Sequence, residues 1–311
     1  MYYQEASPFF KSVGSKTKLV TTIRELLPGP VETYYEPFVG TGAMLFEMAR
    51  CNYFKTARIY DINPFVMSAF AEAKHSPLFL RQALFQWSPF DREQFEQAKV
   101  ALTLPENPLN HRPTIEQTAA FLFVSLCCFS GNLRWNRNGL CTSQWNKPQT
   151  RGSRMVHELE GGRLNLRHLT KINMVLQNVI LDGYDNDVNP GKEFLHFSEM
   201  IADSQRGDFV FCDPPYIKNA GLYLGAGFGP QYARVLSFVS NQASQKGVHV
   251  AIAEGQSEQC DMLFRWAEKI ETERDNLAAR RFFGHGAQPT MKESFYVSPG
   301  LKQEIEKEEE E

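Results

Sequence analysis

Four consecutive residues, Asp213-Pro214-Pro215-Tyr216, close the apolar run "FVFC" and carry the clearest chemical signal in the chain. Each proline fixes φ at about −65° and turns the residue before it away from helix. The backbone there runs extended and presents carbonyls without competing N–H donors, so the loop is a rigid acceptor that also bears a carboxylate. An exocyclic amino group on a nucleobase is a poor nucleophile, because its lone pair is delocalised into the ring. If the Asp213 carboxylate and the Pro214 carbonyl accept its two hydrogens, electron density returns to nitrogen and the lone pair can be aimed at an electrophile. Tyr216 is then positioned to stack on the base. Such a site suits direct displacement at a sulfonium methyl, which needs neither a metal nor a covalent intermediate. No HxE or CxxC pattern offers the zinc chemistry of a deaminase.

A second constellation lies toward the N-terminus. "YYEPFVGTGAMLFEM" reads as a strand, a tight turn at Gly40 and Gly42, and a helix. Glycines at the carboxyl end of a strand let the backbone approach a ligand closely, where open α/β sheets bind their ligands. The dinucleotide fingerprint requires a third glycine at position 45, which is Leu45, so a pyrophosphate is disfavoured. The next strand, "ARIYD", ends at Asp61, the usual place for an acid that accepts both ribose hydroxyls. Ile62 beside it can cover one face of an adenine ring. Glu36, Gly40, Gly42 and Asp61 in this order point to a nucleoside site.

The elements that must hold these residues follow from periodicity. Leu19, Val20, Ile23, Leu26 and Leu27 are spaced as a helix that stops at Pro-Gly-Pro; "VETYYEP" is a strand, "GAMLFEMAR" a helix and "NPFVMSAFAEAKH" another. Strand and helix alternate, which predicts a parallel sheet covered by helices on both faces. The alternation stops after His75. Residues 75–175 show helical patterns, including "TAAFLFVSLCCFSG" as a buried helix, and a loop rich in Gly, Asn and Arg. The rhythm resumes with "NVILDGY", "KEFLHF" and "GDFVFCD" as strands, a helix in "GPQYARVLSFVSNQASQKG", the strand "VHVAIAE", a helix in "SEQCDMLFRWAEK", and two closing strands near "IETERDNL" and "KESFYVS". The expected organisation is a Rossmann-like α/β domain in two parts, 1–74 and 176–300, split by a mostly helical insertion at 75–175, with a disordered acidic tail at 301–311.

Bulk composition narrows the setting. The chain has 311 residues, 42% hydrophobic and 22% charged, and no apolar run long enough for a membrane span. The N-terminus lacks the pattern of a secretory leader, so a cytoplasmic place is expected. The six cysteines form no CxxC pair, which predicts reduced thiols and no zinc site. The net charge of −3 is unevenly spread: 127–171 carries eight Lys or Arg against Glu158 and Glu160, whereas the tail holds two Lys against six Glu. The basic segment is either a nucleic-acid contact or a solvated polar face.

Taken together, "DPPY" after a strand, "EPFVGTG" with "DIN" about twenty residues on, and the N-terminal "PFFKSVGSKTKL" resemble the Dam-type class of S-adenosylmethionine-dependent DNA adenine methyltransferases. The similarity covers nearly all of residues 8–298, and the motif order matches. It implies that S-adenosylmethionine is the cofactor, that double-stranded DNA is the partner, and that the insertion is a target-recognition domain. By position, Asp213, Pro214, Pro215 and Tyr216 would hold a flipped adenine. Glu36, Phe38, Gly40, Gly42, Asp61, Ile62 and Asp213 would line the cofactor site. Lys16, in "GSK" where the family usually has Gly-Gly-Lys, would reach the cofactor, and Lys11 would lie near the bases. Ser12 stands in this cofactor segment where the family usually has Trp, which removes an apolar contact. Either Phe197 or Tyr184 would cover the other face of the cofactor adenine; Phe197 is favoured because its 16-residue distance to Asp213 fits one helix and one strand.

"CCFSGNLRWNRNG" resembles the family's loop between recognition helices, matching at Gly131, Arg134, Asn136 and Gly139. Arg134 is the guanine reader this implies and Asn136 the adenine reader, with Arg137 and other basic residues on phosphates. Trp135 or Phe129 could wedge between bases, and packing is the alternative for both. Ser130 and Asn132 depart from the family pattern, so its GATC specificity does not transfer. Ala253-Glu254 stands where Ser-Asn is common. Two other readings remain: methylation of RNA or of another amino group, and a DNA-binding module whose catalysis has decayed. No metal is expected, and a monomer is expected ahead of a dimer.

Overall fold

The protein is described by a computed structural model covering residues 6–11, 29–88, 90–105, 111–128, 131, 133–136, 138–146, 166–185, 195–215, 228–275 and 290–299. The elements in the first half are β1 (Val31–Glu36), α1 (Ala43–Arg50), β2 (Phe54–Ile59), α2 (Pro64–His75), α3 (Pro77–Phe85), α4 (Arg92–Ala101) and α5 (Ile115–Cys127). The second half adds α6 (Leu166–Leu176), β3 (Val179–Leu181), α7 (His196–Asp203), β4 (Phe209–Cys212), α8 (Pro230–Gln245), β5 (His249–Gly255), α9 (Glu258–Leu263), β6 (Glu268–Asp275) and β7 (Thr290–Val297). The helix expected over 19–27 and the acidic tail lie outside the described residues. No helix among the described residues is long and apolar enough to cross a membrane.

The seven strands form one sheet in the order β3-β2-β1-β4-β5-β7-β6. This is a Rossmann-like arrangement: the chain lays strands outward from β1 in one direction and then resumes at β4 on the other side of it. The described residues fall into two compact units, one made of those among 17–38, 53–58 and 194–311, the other of those among 1–16, 39–52 and 59–193.

In the first unit β4 is the central strand. All four of its residues are buried, as a strand covered on both faces requires, so its sequence is continuously apolar rather than alternating. It pairs in parallel with β1 (Tyr34 opposite Phe209, Tyr35 opposite Val210) and with β5 (Phe209 opposite His249 through Cys212 opposite Ile252). The buried Asp208 carboxylate accepts from Thr33 N at 3.1 Å and Gln205 N at 2.8 Å, tying the start of β4 to the start of β1. Helix α8 buries Ala233, Leu236, Ser237, Ser240 and Ala243, a stripe at the helical period. The expectation of a parallel sheet fails at the edge. β7 runs antiparallel to both β5 and β6, because β6 and β7 are consecutive and a parallel return would need a further crossover. A second correction concerns "KEFLHF", read as a strand. His196 and Phe197 begin α7, whose buried residues His196, Phe197, Met200 and Ile201 recur at helical spacing.

In the second unit α5 is almost entirely buried and packs against α2, α3 and α4. It starts at a reciprocal capping box between Thr114 and Gln117. Phe9 and Phe10 dock on this core: Phe9 meets Phe70 edge-on at 5.6 Å, and Phe10 meets Phe121 at 5.5 Å. Among the described residues of 75–175 there is no strand, only the isolated bridges Cys128 to Trp145 and Trp135 to Cys141.

Candidate active site

In the sheet unit, the carboxyl ends of β1 and β4 lie side by side, at the point where the strand order reverses. β1 ends at Glu36 and β4 at Cys212, so Asp213, Pro214 and Pro215 leave the sheet at the position where such folds bind ligands. Pro214 is buried, while Asp213 and Pro215 are partly exposed. Glu36 is only 2% exposed and is held by Tyr34, whose hydroxyl donates to Oε2 at 2.8 Å. Tyr34 is itself clamped between Phe54 and Phe209, with ring centroids 5.8 and 5.6 Å away and planes within 20° and 19° of parallel. Burial first, and then the Glu36 carboxylate, push the Tyr34 phenol well above its ordinary pKa, so it stays a donor. Burial, the Asp213 charge and the Glu36 charge likewise push the Cys212 thiol far up. A protonated thiol in that position offers no nucleophile, which leaves the carboxylates as the reactive polar groups at the two strand ends.

Phe38 and Phe197, named separately from sequence, meet here: their rings are 5.3 Å apart at 36°. Phe228 completes the cluster, 5.6 Å from Phe38 and 5.9 Å from Phe197. Sequence reasoning missed Phe228. It stands alone in a glycine-rich stretch with no periodic partner, so no local signal marks it. Tyr184, the alternative to Phe197, belongs to the other unit. There the Arg112 guanidinium covers its ring at 5.5 Å while Arg112 Nη2 donates to the Gly183 carbonyl.

In the second unit, Gly40 and Asp61 come together. Gly40 N donates to Asp61 Oδ2 at 3.0 Å and Asn63 N donates to Oδ1 at 2.9 Å, while Val39 N donates to the Tyr60 carbonyl at 2.9 Å. A carboxylate has about four acceptor positions, so two remain on Asp61. Burial outweighs the two backbone bonds and pushes the Asp61 carboxyl up to about 6. Gly40 and Gly42 both take left-handed φ, +49° and +71°, and Gly42 N closes the turn on the Val39 carbonyl at 2.8 Å. The two glycines serve different needs. A Cβ on Gly42 would sit 2.9 Å from Phe70 Cζ, whereas a Cβ on Gly40 would meet nothing within 4 Å among the described residues. The open space belongs beside Gly40, next to the Asp61 carboxylate. Ile62 is partly exposed, and Asn63 caps α2 by accepting from Phe65 N at 3.0 Å.

The basic segment contains a small hairpin. Arg134 N donates to Ser143 Oγ at 3.0 Å, Thr142 N to the Arg134 carbonyl at 2.8 Å, and Asn136 N to the Leu140 carbonyl at 3.0 Å. Trp135 packs inward: its indole stacks on Phe65 at 6.1 Å and 12°, and Nε1 donates to the Leu102 carbonyl at 2.9 Å. Asn136 Oδ1 accepts from Asn138 N at 2.9 Å and from Leu140 N at 3.0 Å, which closes the turn. Arg134 is exposed. Lys11 is partly buried, with Nζ 3.5 Å from the Leu126 carbonyl. Ser12, Lys16, Phe129, Arg137 and Tyr216 lie outside the described residues. Among those that are described, no group of three His, Cys, Asp or Glu side chains is positioned to hold a metal ion.

Residues 12–276 match the model of the D12 class N6 adenine-specific DNA methyltransferase family. The Type II methyltransferase M1.LlaDCHI of Lactococcus lactis subsp. cremoris is 26% identical over 282 residues, covering 87% of this chain and 89% of its own. The Type II methyltransferase M.MjaIII of Methanocaldococcus jannaschii is 30% identical over 224 residues, covering 68% and 70%. M.CviBI, a Type II methyltransferase of Paramecium bursaria Chlorella virus NC1A, is 22% identical over 210 residues, covering 67% and 68%.

Proposed function

The chain belongs to the D12 class of N6 adenine-specific DNA methyltransferases and is a site-specific DNA adenine methyltransferase, and from that premise we propose how its own residues do the work. The observation that carries the reading is the placement of Asp213-Pro214-Pro215 at the end of β4, beside the end of β1, where the strand order reverses. The target adenine is extruded from the duplex, at a cost of about a few kcal/mol that the recognition contacts offset. Its amino hydrogens are accepted by the Asp213 carboxylate and the Pro214 carbonyl, with Tyr216 stacked on the ring. This localises the nitrogen lone pair and sets its direction.

S-adenosylmethionine supplies, when bound, a methyl group on a positively charged sulfur. The residues present fit it: the space beside Gly40 admits close approach, and the two acceptor positions left on Asp61 match the two hydroxyls of a ribose. Glu36, Phe38, Gly42, Ile62, Phe197, Ser12 and Lys16 are assigned to the same ligand. As nitrogen gains the methyl it loses one hydrogen as a proton, and the Asp213 carboxylate is the acceptor that passes it to solvent. Residues 75–175 serve as the target-recognition segment, with Arg134 reading bases, the turn of Asn136 and the indole of Trp135 shaping the hairpin, and Lys11 and Arg137 facing DNA. A DNA substrate supports a cytoplasmic place of work and requires no more than a monomer.

Asp213→Ala tests the assignment. Transfer of tritiated methyl groups to duplex DNA should fall by at least about a hundredfold while the circular dichroism spectrum and the thermal midpoint are kept. Methylation persisting within a few-fold of the unaltered chain would remove Asp213 from the chemistry.

A further inference from the structure

The hairpin in the recognition segment sorts its side chains by alternation. Trp135 turns inward and Cys141 and Ser143 are buried, whereas Arg134, Asn136, Leu140 and Thr142 are exposed on the opposite face. A two-stranded ribbon of this kind has the width of the major groove. On that outward face Asn136 is already committed, since both lone pairs of its oxygen take backbone N–H groups of the turn. A bidentate contact to adenine would break one of those bonds. Directly across from it lies Leu140, an apolar side chain left 47% exposed between polar neighbours. Its backbone is pinned from three sides: Leu140 N by Asn136 Oδ1, its carbonyl by Asn136 N, and the adjacent Gly139 by the Leu104 N–H, which donates to the Gly139 carbonyl at 2.8 Å. Gly139 has φ of +73° and no room for a Cβ, which would sit 2.8 Å from the Leu104 carbonyl oxygen. An exposed leucine held this rigidly is presented, not merely tolerated.

We propose that Leu140 is a specificity-determining residue that packs on the C5-methyl group of a thymine in the major groove, beside the guanidinium of Arg134. Thymine methyl is the one apolar feature the major groove displays, and apolar side chains are its complement. The inference rests on the reading of this chain as a DNA adenine methyltransferase, and every duplex site that contains adenine also contains thymine.

The test compares one long duplex amplified either with dTTP or with dUTP, which differ only in that methyl group, so the recognition sequence need not be known. The unaltered chain should prefer the thymine duplex by about fourfold in kcat/KM for each methyl contact, the equivalent of one buried methyl. Leu140→Ala should bring that ratio close to one, while Leu140→Met, which keeps an apolar side chain of the same reach, should retain it. A thymine-to-uracil ratio of one in the unaltered chain, or a ratio unchanged in Leu140→Ala, overturns the proposal; the second result would fit a leucine that wedges between bases without reading the methyl. Equilibrium competition between the two duplexes, measured also with Asp213→Ala, keeps the two readings separable. No thymine preference in the unaltered chain, with transfer abolished by Asp213→Ala, defeats Leu140 alone, whereas a preference that Leu140→Ala removes, with transfer unaffected by Asp213→Ala, defeats the catalytic assignment alone.

Discussion

The Asp61 carboxyl gives the sharpest quantitative expectation. Its pKa is raised by burial from 3.8 to about 6, although both oxygens accept backbone N–H groups. Because the folded value lies above the unfolded one, ionised Asp61 is a strain on the fold. The stabilising effect of its protonation is complete below about pH 4 and is lost as pH rises through about 6. The gap corresponds to about 3 kcal/mol. Cofactor affinity should move the other way, since only the carboxylate can accept from both ribose hydroxyls. At pH 5 about one molecule in eleven is ionised, so the affinity for S-adenosylhomocysteine should be about tenfold weaker than at pH 7. Calorimetric titration from pH 5 to 8 reads this directly. Asp61→Asn should bind weakly at every pH with a nearly flat profile, and its apo form should lose the acid-side gain in thermal midpoint that the unaltered chain shows. A flat affinity profile in the unaltered chain, or the same slope in Asp61→Asn, would refute the argument that this carboxylate both feels burial and holds the ribose.

Two further expectations follow from the geometry of the same elements. Tyr34→Phe keeps the stack between Phe54 and Phe209 but leaves the buried Glu36 without its phenol donor, so urea unfolding should show a loss of about 1.5–3 kcal/mol. The loss should shrink to about 0.5–1.5 kcal/mol when Glu36→Gln is already present, because the amide oxygen still accepts from the phenol but carries no charge; two costs that simply add would show that the charge of the acceptor contributes nothing. Alanine at Gly42 must adopt φ of +71° and meet Phe70, whereas alanine at Gly40 faces open space. Gly42→Ala should therefore cost well over the ~1–2 kcal/mol of a left-handed residue, and Gly40→Ala about that alone while weakening cofactor binding. Equal unfolding midpoints for the two variants would contradict this division of roles.

Much of the site was legible in the sequence because its signals are local. Two adjacent prolines after an apolar strand, a Gly-x-Gly turn, and an acid at the next strand end each depend on backbone rules acting over a few residues. The same holds for α5 as a buried helix. The end of "KEFLHF" was misread as strand because short apolar runs carry no decisive period, and the neighbours in α7 settled His196 and Phe197 as helix. β7 could not be seen to run antiparallel, since direction belongs to pairing and not to the segment.

What only the tertiary structure decided is how side chains with several possible uses are spent. Trp135 reads as a wedge or a packing residue until its indole N–H is seen to donate to a carbonyl 33 positions away. Asn136 reads as a base reader until its oxygen is found closing a turn, and Leu140 draws no notice until alternation turns it outward. Residue type and spacing determined the chemistry available to this protein, because donors, acceptors and fixed torsions are properties of the residues themselves. Which of those groups remain available was decided by contacts between distant segments, because a lone pair or an aromatic face engaged in the core cannot also meet a ligand.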